Sequence, residues 1–410
     1  MPRISPFVGL LFDPSVVGSH EAVTTPPYDV IPDDDRRRYL DASPYNVIRL
    51  DLGSGEPEDV GDDRYRGASN DLRSWIDAGA LRPTPEAAYF PYEMRGSWHG
   101  RPIAVRGVIC AVDLEALGGS IVPHERTMEG PIEDRLRLLR EVRANLSSIY
   151  AVFRGPNPLL GALVDEATAG APEASMTDES GVEHRLWVAR PDPALPRALE
   201  ADSLMIADGH HRYATALRYR DEMHAEHGPG PWDRVMMLVV DASAEEPPVL
   251  PFHRIQVSGP VQAAGHRVRD LAEVLEAVSD EQVRYGMAVV EDGVLVHRIA
   301  DLSGEPPAVG PLHDQVLRGL DDELRFTPDA VVAEAAVRNG DAVAAYFLAP
   351  TEAGRIRAVV DRGDRLPQKS TFFWPKPRTG LVIRPLDPPR VPDVPTSGRD
   401  RSRASSTPTQ

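Results

Sequence analysis

The chain has little lysine and almost no cysteine. Lys369 and Lys376 are the only two lysines among its 45 basic residues, and Cys110 is the single cysteine in 410 positions. One cysteine excludes an internal disulfide and a cysteine-based zinc cluster, and its place in the run Val108-Ile109-Cys110-Ala111-Val112 reads as core packing. Long apolar runs are missing too. No stretch reaches the roughly 18 apolar residues of a membrane-spanning helix. The start, Met1-Pro2-Arg3-Ile4-Ser5-Pro6, has neither the basic nor the apolar region of a signal peptide. The expectation is a cytoplasmic protein with no membrane partner. Positive charge is also short: a formal net charge of −18 repels a polyanion at long range and argues against a nucleic-acid partner, while a local basic pocket stays open.

Apolar residues make up 41% of the chain, enough at this length for two or three compact units. Strand-like and helix-like segments alternate, which gives an α+β, mixed α/β class. In residues 1–106, Val8–Phe12 and Asn46–Leu50 read as strands, and Asp33–Leu40 and Asp62–Ala78 as helices. Ala88–Glu93 and Arg106–Leu114 read as strands of one sheet. A second unit is expected over 107–258, with a helix opened by Pro131, the strands 148–153 and 235–240, and a more polar insertion at about 156–201. A third, over 259–386, holds a helix at Val261–Val278 and strands at Gly286–Val290 and Ala344–Leu348. Residues 387–410 are Pro, Ser, Thr and Arg with almost nothing apolar, and a disordered tail is expected. Nothing in the sequence fixes the oligomeric state.

The most informative segment is Leu204-Met205-Ile206-Ala207-Asp208-Gly209-His210-His211-Arg212-Tyr213. An apolar run stops at Asp-Gly, two rings and a guanidinium follow, and a helical pattern begins. The N–H groups at a helix start favour an anion, and Arg212 adds a fork of donors suited to phosphate. Two other readings stay open: paired histidine ligands of a metal, although adjacent positions diverge, or polar groups satisfied at a helix start. In Pro123-His124-Glu125-Arg126-Thr127, Glu125 follows a proline-fixed turn and suits the base of a phosphoryl transfer to a hydroxyl, or else a helix cap with a surface ion pair. Lys369 and Lys376 stand seven apart in Pro367-Gln368-Lys369-Ser370-Thr371-Phe372-Phe373-Trp374-Pro375-Lys376. Arginine does not replace a compact ammonium, so the pair reads as kept to offset phosphoryl oxygens, against the alternative of a solvated loop. The aromatics between them read as loop anchors. Tyr28 and Asp29, after Pro26-Pro27, suit an amine or hydroxyl of an acceptor, or a structural turn.

Pro26-Pro27-Tyr28-Asp29-Val30, Tyr45–Leu50, His124–Thr127, Glu133-Asp134-Arg135-Leu136, Ala207–Tyr213 and Pro367–Lys376, in that order, resemble the hallmark blocks of the DUF1015 family. Pro-His-Glu followed after a helix and a strand by Asp-Gly-His-His-Arg is also similar to the free-serine kinases of the ParB/sulfiredoxin-like superfamily, which phosphorylate L-serine with ADP or ATP. The second resemblance implies a ParB/sulfiredoxin-like core over residues 107–258 with added N- and C-terminal α/β regions. It makes Glu125 the general base and Asp208 the assisting carboxylate; Asp208 is also expected to hold Mg2+, which takes one or two carboxylates plus phosphate oxygens, or to steer the substrate hydroxyl. Gly209, His210, His211 and Arg212, with Lys369 and Lys376, would hold the phosphates of ATP or ADP. Tyr28, Asp29, His124, Arg126 and Thr127 fall on the side of the acceptor, serine or a related hydroxy amino acid. The rival expectation is a nucleotide switch, binding CTP or ATP, that regulates a partner without catalysis.

Overall fold

The computed structural model of the chain describes residues 1–55, 63–98, 100–153, 155–200 and 202–387. The tail expected to be disordered lies, apart from Asp387, outside the described residues. The fold is mixed α/β, built on two sheets.

The first sheet has nine strands: β1 (Ile4–Ser5), β2 (Phe90–Trp98), β3 (Arg101–Asp113), β4 (Ile121–Pro123), β5 (Ile149–Phe153), β6 (Ala174–Thr177), β7 (Glu183–Leu186), β8 (Leu204–Asp208) and β9 (Arg234–Asp241). Their spatial order is β4-β8-β5-β9-β3-β2-β7-β6, with β1 beside β3. Most pairs are antiparallel. The exceptions, β8 with β4 and β9 with β5, lie at the end of the sheet that carries the Asp208 turn. Strands β5 and β8 are buried at every position, as continuous apolar runs should be when layers cover both faces. One cover is α4 (Glu129–Val142) and α6 (His210–His227), which pack on each other. They follow α1 (Asp33–Ala42), α2 (Ile48–Asp51) and α3 (Asp63–Asp77) of the N-terminal region and are separated by α5 (Pro158–Thr168). Of the expected apolar stripe Ile132, Leu136, Leu139, Val142 and Leu146, the first four lie on α4 and are buried as a set, while Leu146 is buried beyond the helix, which ends at Val142.

The second sheet is antiparallel, in the order β11-β13-β12-β15-β10-β14, from β10 (His253–Gln256), β11 (His266–Val268), β12 (Arg284–Glu291), β13 (Val294–Asp301), β14 (Leu324–Thr327) and β15 (Ala344–Phe347).

Four expectations change. Asn46–Leu50 was expected as a strand and instead leads into the short helix α2. Asn46 turns the chain, its Oδ1 accepting from Ile48 N at 3.0 Å while its Nδ2 donates to Ala22 O at 2.8 Å, and burial of Val47, Ile48 and Leu50 then overrides their strand propensity. The helix expected over Val261–Val278 is only Leu271–Ala277, α7. Gly265, at φ 77°, turns the chain into β11, and Asp270 caps the helix start by accepting from Glu273 N at 3.0 Å. The border expected at residue 107 falls inside β3, which pairs with β2 from Phe90 opposite Ile109 to Trp98 opposite Arg101. The segment 156–201, expected as an insertion, supplies β6 and β7 and so extends the sheet.

Residues 366–386 do not stay with the second sheet. Leu366 bridges to Glu125, Thr371–Phe373 pairs with Val249–Pro251, Thr379 meets Thr25, Ile383 meets Leu10, and Arg384–Pro385 pairs with Ala144–Asn145. This returning segment ties the N-terminal region to the first sheet. Ile383, fully buried where it does so, should cost about 2–5 kcal/mol of stability as Ile383→Ala. Urea unfolding is the check, and a cost below about 1 kcal/mol would mean that the segment is not part of the cooperative core.

Candidate active site

The chain leaves β8 at Asp208 and enters α6 at His210, so one residue must turn it. Gly209 does so at φ 97°, and a Cβ there would also meet the Arg212 guanidinium at 3.0 Å. No side chain caps α6, so its first N–H groups and the positive end of its dipole face the cleft unpaired by a cap. Arg212 is fixed, its Nη1 donating to Ser147 Oγ at 2.8 Å and to Ser148 O at 2.7 Å, and its Nη2 donating to Asp208 Oδ2 at 2.5 Å.

Glu125 lies across from this turn at the end of β4. Its Oε1 accepts from Ser370 N at 3.0 Å, from Thr371 N at 2.9 Å and from Thr371 Oγ1 at 2.9 Å, and its Oε2 accepts from Lys369 N at 3.1 Å. Three successive N–H groups can converge because Lys369 sits at φ 50°, a strained conformation for a residue with a side chain. Burial alone would push the Glu125 pKa up, but the hydrogen bond and charge of His124, the neighbouring His210 and the Thr371 hydroxyl outweigh it. The carboxyl is held well below its ordinary range.

The expected lysines both reach this place. Lys369 Nζ meets Asp29 Oδ2 at 2.5 Å, and Lys376 Nζ is paired with Asp208 Oδ1. Asp29, whose burial would raise its pKa, is instead held low by Lys369, Arg212 and Lys376. Burial dominates at His210, with the His124 charge adding to it, so its pKa lies well below the ordinary value. The ring is neutral and its Nε2 accepts from His124 N at 3.3 Å. His211, whose pKa burial also lowers, accepts from Met128 N at 3.0 Å.

One small cleft is lined by Tyr28, Asp29, Glu125, Arg126, the turn 207–212, Phe252, Lys369 and Thr371. Residues from five separate parts of the chain therefore meet. Two expected acceptor residues do not take that place. His124 is fully buried behind the cleft, its Nδ1 donating to Ile206 O at 2.7 Å and its Nε2 paired with Thr371 Oγ1 at 2.6 Å, so it orders the loop. Thr127 is exposed and outside the lining. Asp208, expected to hold Mg2+, has both oxygens on cations, and no group of three or more His, Cys, Asp or Glu among the described residues suits a metal ion. The aromatics act as anchors: Phe373 is fully buried, and the Phe372 ring lies 4.7 Å from Lys376 Nζ and 5.4 Å from the Phe252 ring. Phe252 and Asp51 were not singled out from sequence. A lone aromatic after a proline and a lone Asp after a short apolar run carry no local signal.

The family model described as "Protein of unknown function (DUF1015)" matches residues 4–321, and the chain belongs to that family. No curated protein matches it. Among solved structures it is similar to a free serine kinase in complex with AMP, at 12% identity and TM-score 0.36, over 64% of this chain and 85% of that one. It is also similar to SbnI with a C-terminal truncation from Staphylococcus aureus, at 12% and 0.36 over 67% and 87%. A conserved hypothetical protein from Pyrococcus furiosus is similar at 13% and 0.34 over 65% and 92%. At these TM-scores the likeness carries no argument about the site.

Burial sets an acid limit on stability. Like His210, His253 and His313 are buried and titrate low, at about 4 and about 3, with the Arg254 charge adding to burial. The unfolded chain takes up these protons near pH 6.5 and the folded one only far lower, so stability is complete above about 6.5 and falls as pH drops. Between pH 7.5 and 5 the loss should be about 2 kcal/mol for each such histidine, while the depressed carboxyls of Glu125 and Asp29 contribute no loss until below about 4. Equal urea midpoints at pH 7.5 and 5 would contradict this.

Proposed function

We propose that the protein is a nucleotide-dependent phosphotransferase that moves a phosphoryl group from ATP or ADP to the hydroxyl of serine or a related hydroxy amino acid. The observation that carries this reading is the meeting, in one cleft, of an uncapped helix start with Lys369, Arg212, Asp29 and Glu125, while Lys376 is paired with Asp208 beside it. Free N–H groups and fixed cations suit the oxygens of transferring phosphate.

In this reading the nucleotide phosphates lie on the turn 208–212, with Lys369 and Lys376 turning from their carboxylates toward them. Arg126, exposed at the cleft, suits the acceptor's carboxylate, and Asp29 or Tyr28 its ammonium. The acceptor oxygen bonds to the terminal phosphorus, the bond to the bridging oxygen breaks with its electron pair on the departing nucleotide, and the hydroxyl proton passes to Glu125. A carboxylate so strongly held is a weak base, but it is unprotonated at neutral pH, and a loose transition state loses that proton late, so position matters more than basicity. Mg2+ takes one or two carboxylates plus phosphate oxygens, and Asp208 is the residue that would supply one as Lys376 turns away.

The engagement of Glu125 by four hydrogen bonds also favours a second reading, in which Glu125 only secures the loop and the protein is a nucleotide-responsive switch. Incubation with ATP, ADP or CTP, Mg2+ and a panel of hydroxy amino acids separates the two. A phosphorylated product is expected. Glu125→Gln should lower kcat about a hundredfold or more, and Lys376→Ala should weaken nucleotide binding by about 10–100-fold. Tight nucleotide binding with no turnover on any acceptor removes the kinase and leaves the switch.

A further inference from the structure

The cleft at the α6 turn adjoins a second one, and Tyr28 and Arg212 line both. The walls of the second are largely apolar, from Leu138 and Leu139 of α4, Leu146, Ile149 of β5 and Ala216 of α6. Asp51, at the end of α2, is the carboxylate in this lining, and it is only 6% exposed. Its Oδ1 accepts from Arg135 Nη1 at 2.6 Å and its main-chain oxygen from Arg135 Nη2 at 3.0 Å. The same guanidinium covers the Tyr28 ring at 4.1 Å, so the group that holds the carboxylate is itself held. Its Oδ2 has no hydrogen-bond partner among the described residues and is closed to solvent, so a ligand in the cleft meets it only as the side chains around it yield. A buried acceptor left without a donor is destabilising, so a ligand that brings one is favoured there.

A ligand whose phosphates rest on the α6 turn and which continues past Tyr28 and Arg212 places its nucleoside in this second cleft. Apolar walls suit a flat ring, and the uncommitted carboxylate oxygen requires an N–H on that ring's edge. We propose that the second cleft holds the base of the donor nucleotide, with Asp51 Oδ2 accepting from an exocyclic amino group, so that adenine is taken and the corresponding keto purine is rejected. A keto oxygen would set two acceptors against each other with no proton between them, the kind of mismatch that discriminates strongly. The inference rests on the phosphate reading of the turn, and it places base selection in residues of the N-terminal region.

The test is calorimetric binding of ATP, inosine triphosphate and tripolyphosphate, each with Mg2+, to the full chain. ATP should bind at least about tenfold more tightly than inosine triphosphate, and more tightly than tripolyphosphate. In Asp51→Asn the amide oxygen must stay on Arg135, which only donates, and the amide NH2 replaces the free oxygen, so the preference should shift toward inosine triphosphate. Should that variant fail to fold, Ala216→Leu fills the cleft from α6 and should abolish the advantage of ATP over tripolyphosphate while leaving tripolyphosphate binding unchanged. Equal affinities for ATP and inosine triphosphate in the wild type, or an unchanged preference in folded Asp51→Asn, overturn the inference and leave the phosphate site standing. Tripolyphosphate binding as tight as ATP does the same. Failure of all three to bind removes the phosphate site and the inference together.

Discussion

The Glu125 carboxylate, closed on the N–H groups of Lys369, Ser370 and Thr371, is the contact on which the cleft depends. Residues 369–371 lie some 244 positions further along the chain, so no local propensity brings them there. A charged acceptor contributes about 1.5–3 kcal/mol per hydrogen bond, more than a neutral one, and here it also supports the positive φ of Lys369. With the loop held, Lys369 meets Asp29 and Lys376 meets Asp208. His124, buried and bonded to Ile206 O and to Thr371, joins the same loop to β8. The turn and the loop are thereby one construction.

That construction balances charge locally. Lys369, Lys376 and Arg212 are each matched by a carboxylate, Asp29 for the first and Asp208 for the other two. Uncompensated buried charges are strongly destabilising, which is why the free protein keeps its cations paired. It also shows how a chain of net charge −18 keeps three cations together in one place. Under the proposed phosphate reading, an arriving phosphate would exchange one anionic partner for another, with the cations already ordered in the folded state.

The sequence was legible where a segment declares its own chemistry. Asp208–Arg212 announces a strand, a tight turn and a helix start, and Gly209 and α6 follow that pattern. The scarcity of lysine singled out Lys369 and Lys376 with no knowledge of their partners. What was not legible is what depends on pairing across the fold. His124 looks like a ligand beside Glu125, yet β4 turns its ring inward, and Asn46–Leu50 has strand composition, yet the Asn46 side chain bends it into a helix. The border at residue 107 failed for the same reason: β2 and β3 form one hairpin whose register is set by partners, which composition does not record.

This division bears on where specificity resides. The turn 208–212 and Glu125 stand on β8 and β4, neighbouring parallel strands near the middle of the chain, and in the proposed reading they would meet what every phosphate donor shares. Tyr28, Asp29 and Asp51 come instead from short turns of the N-terminal region. They are held against the first sheet by Arg135 of α4, by Lys369 and by the pairing of Ile383 with Leu10. Such turns can change identity without disturbing the buried strands, whereas the turn 208–212 cannot change without losing Gly209 or the Arg212 clamp. In the proposed reading, the chemistry of the transferred group would thus be written in the sheet, and the choice of nucleoside and acceptor in the turns laid over it.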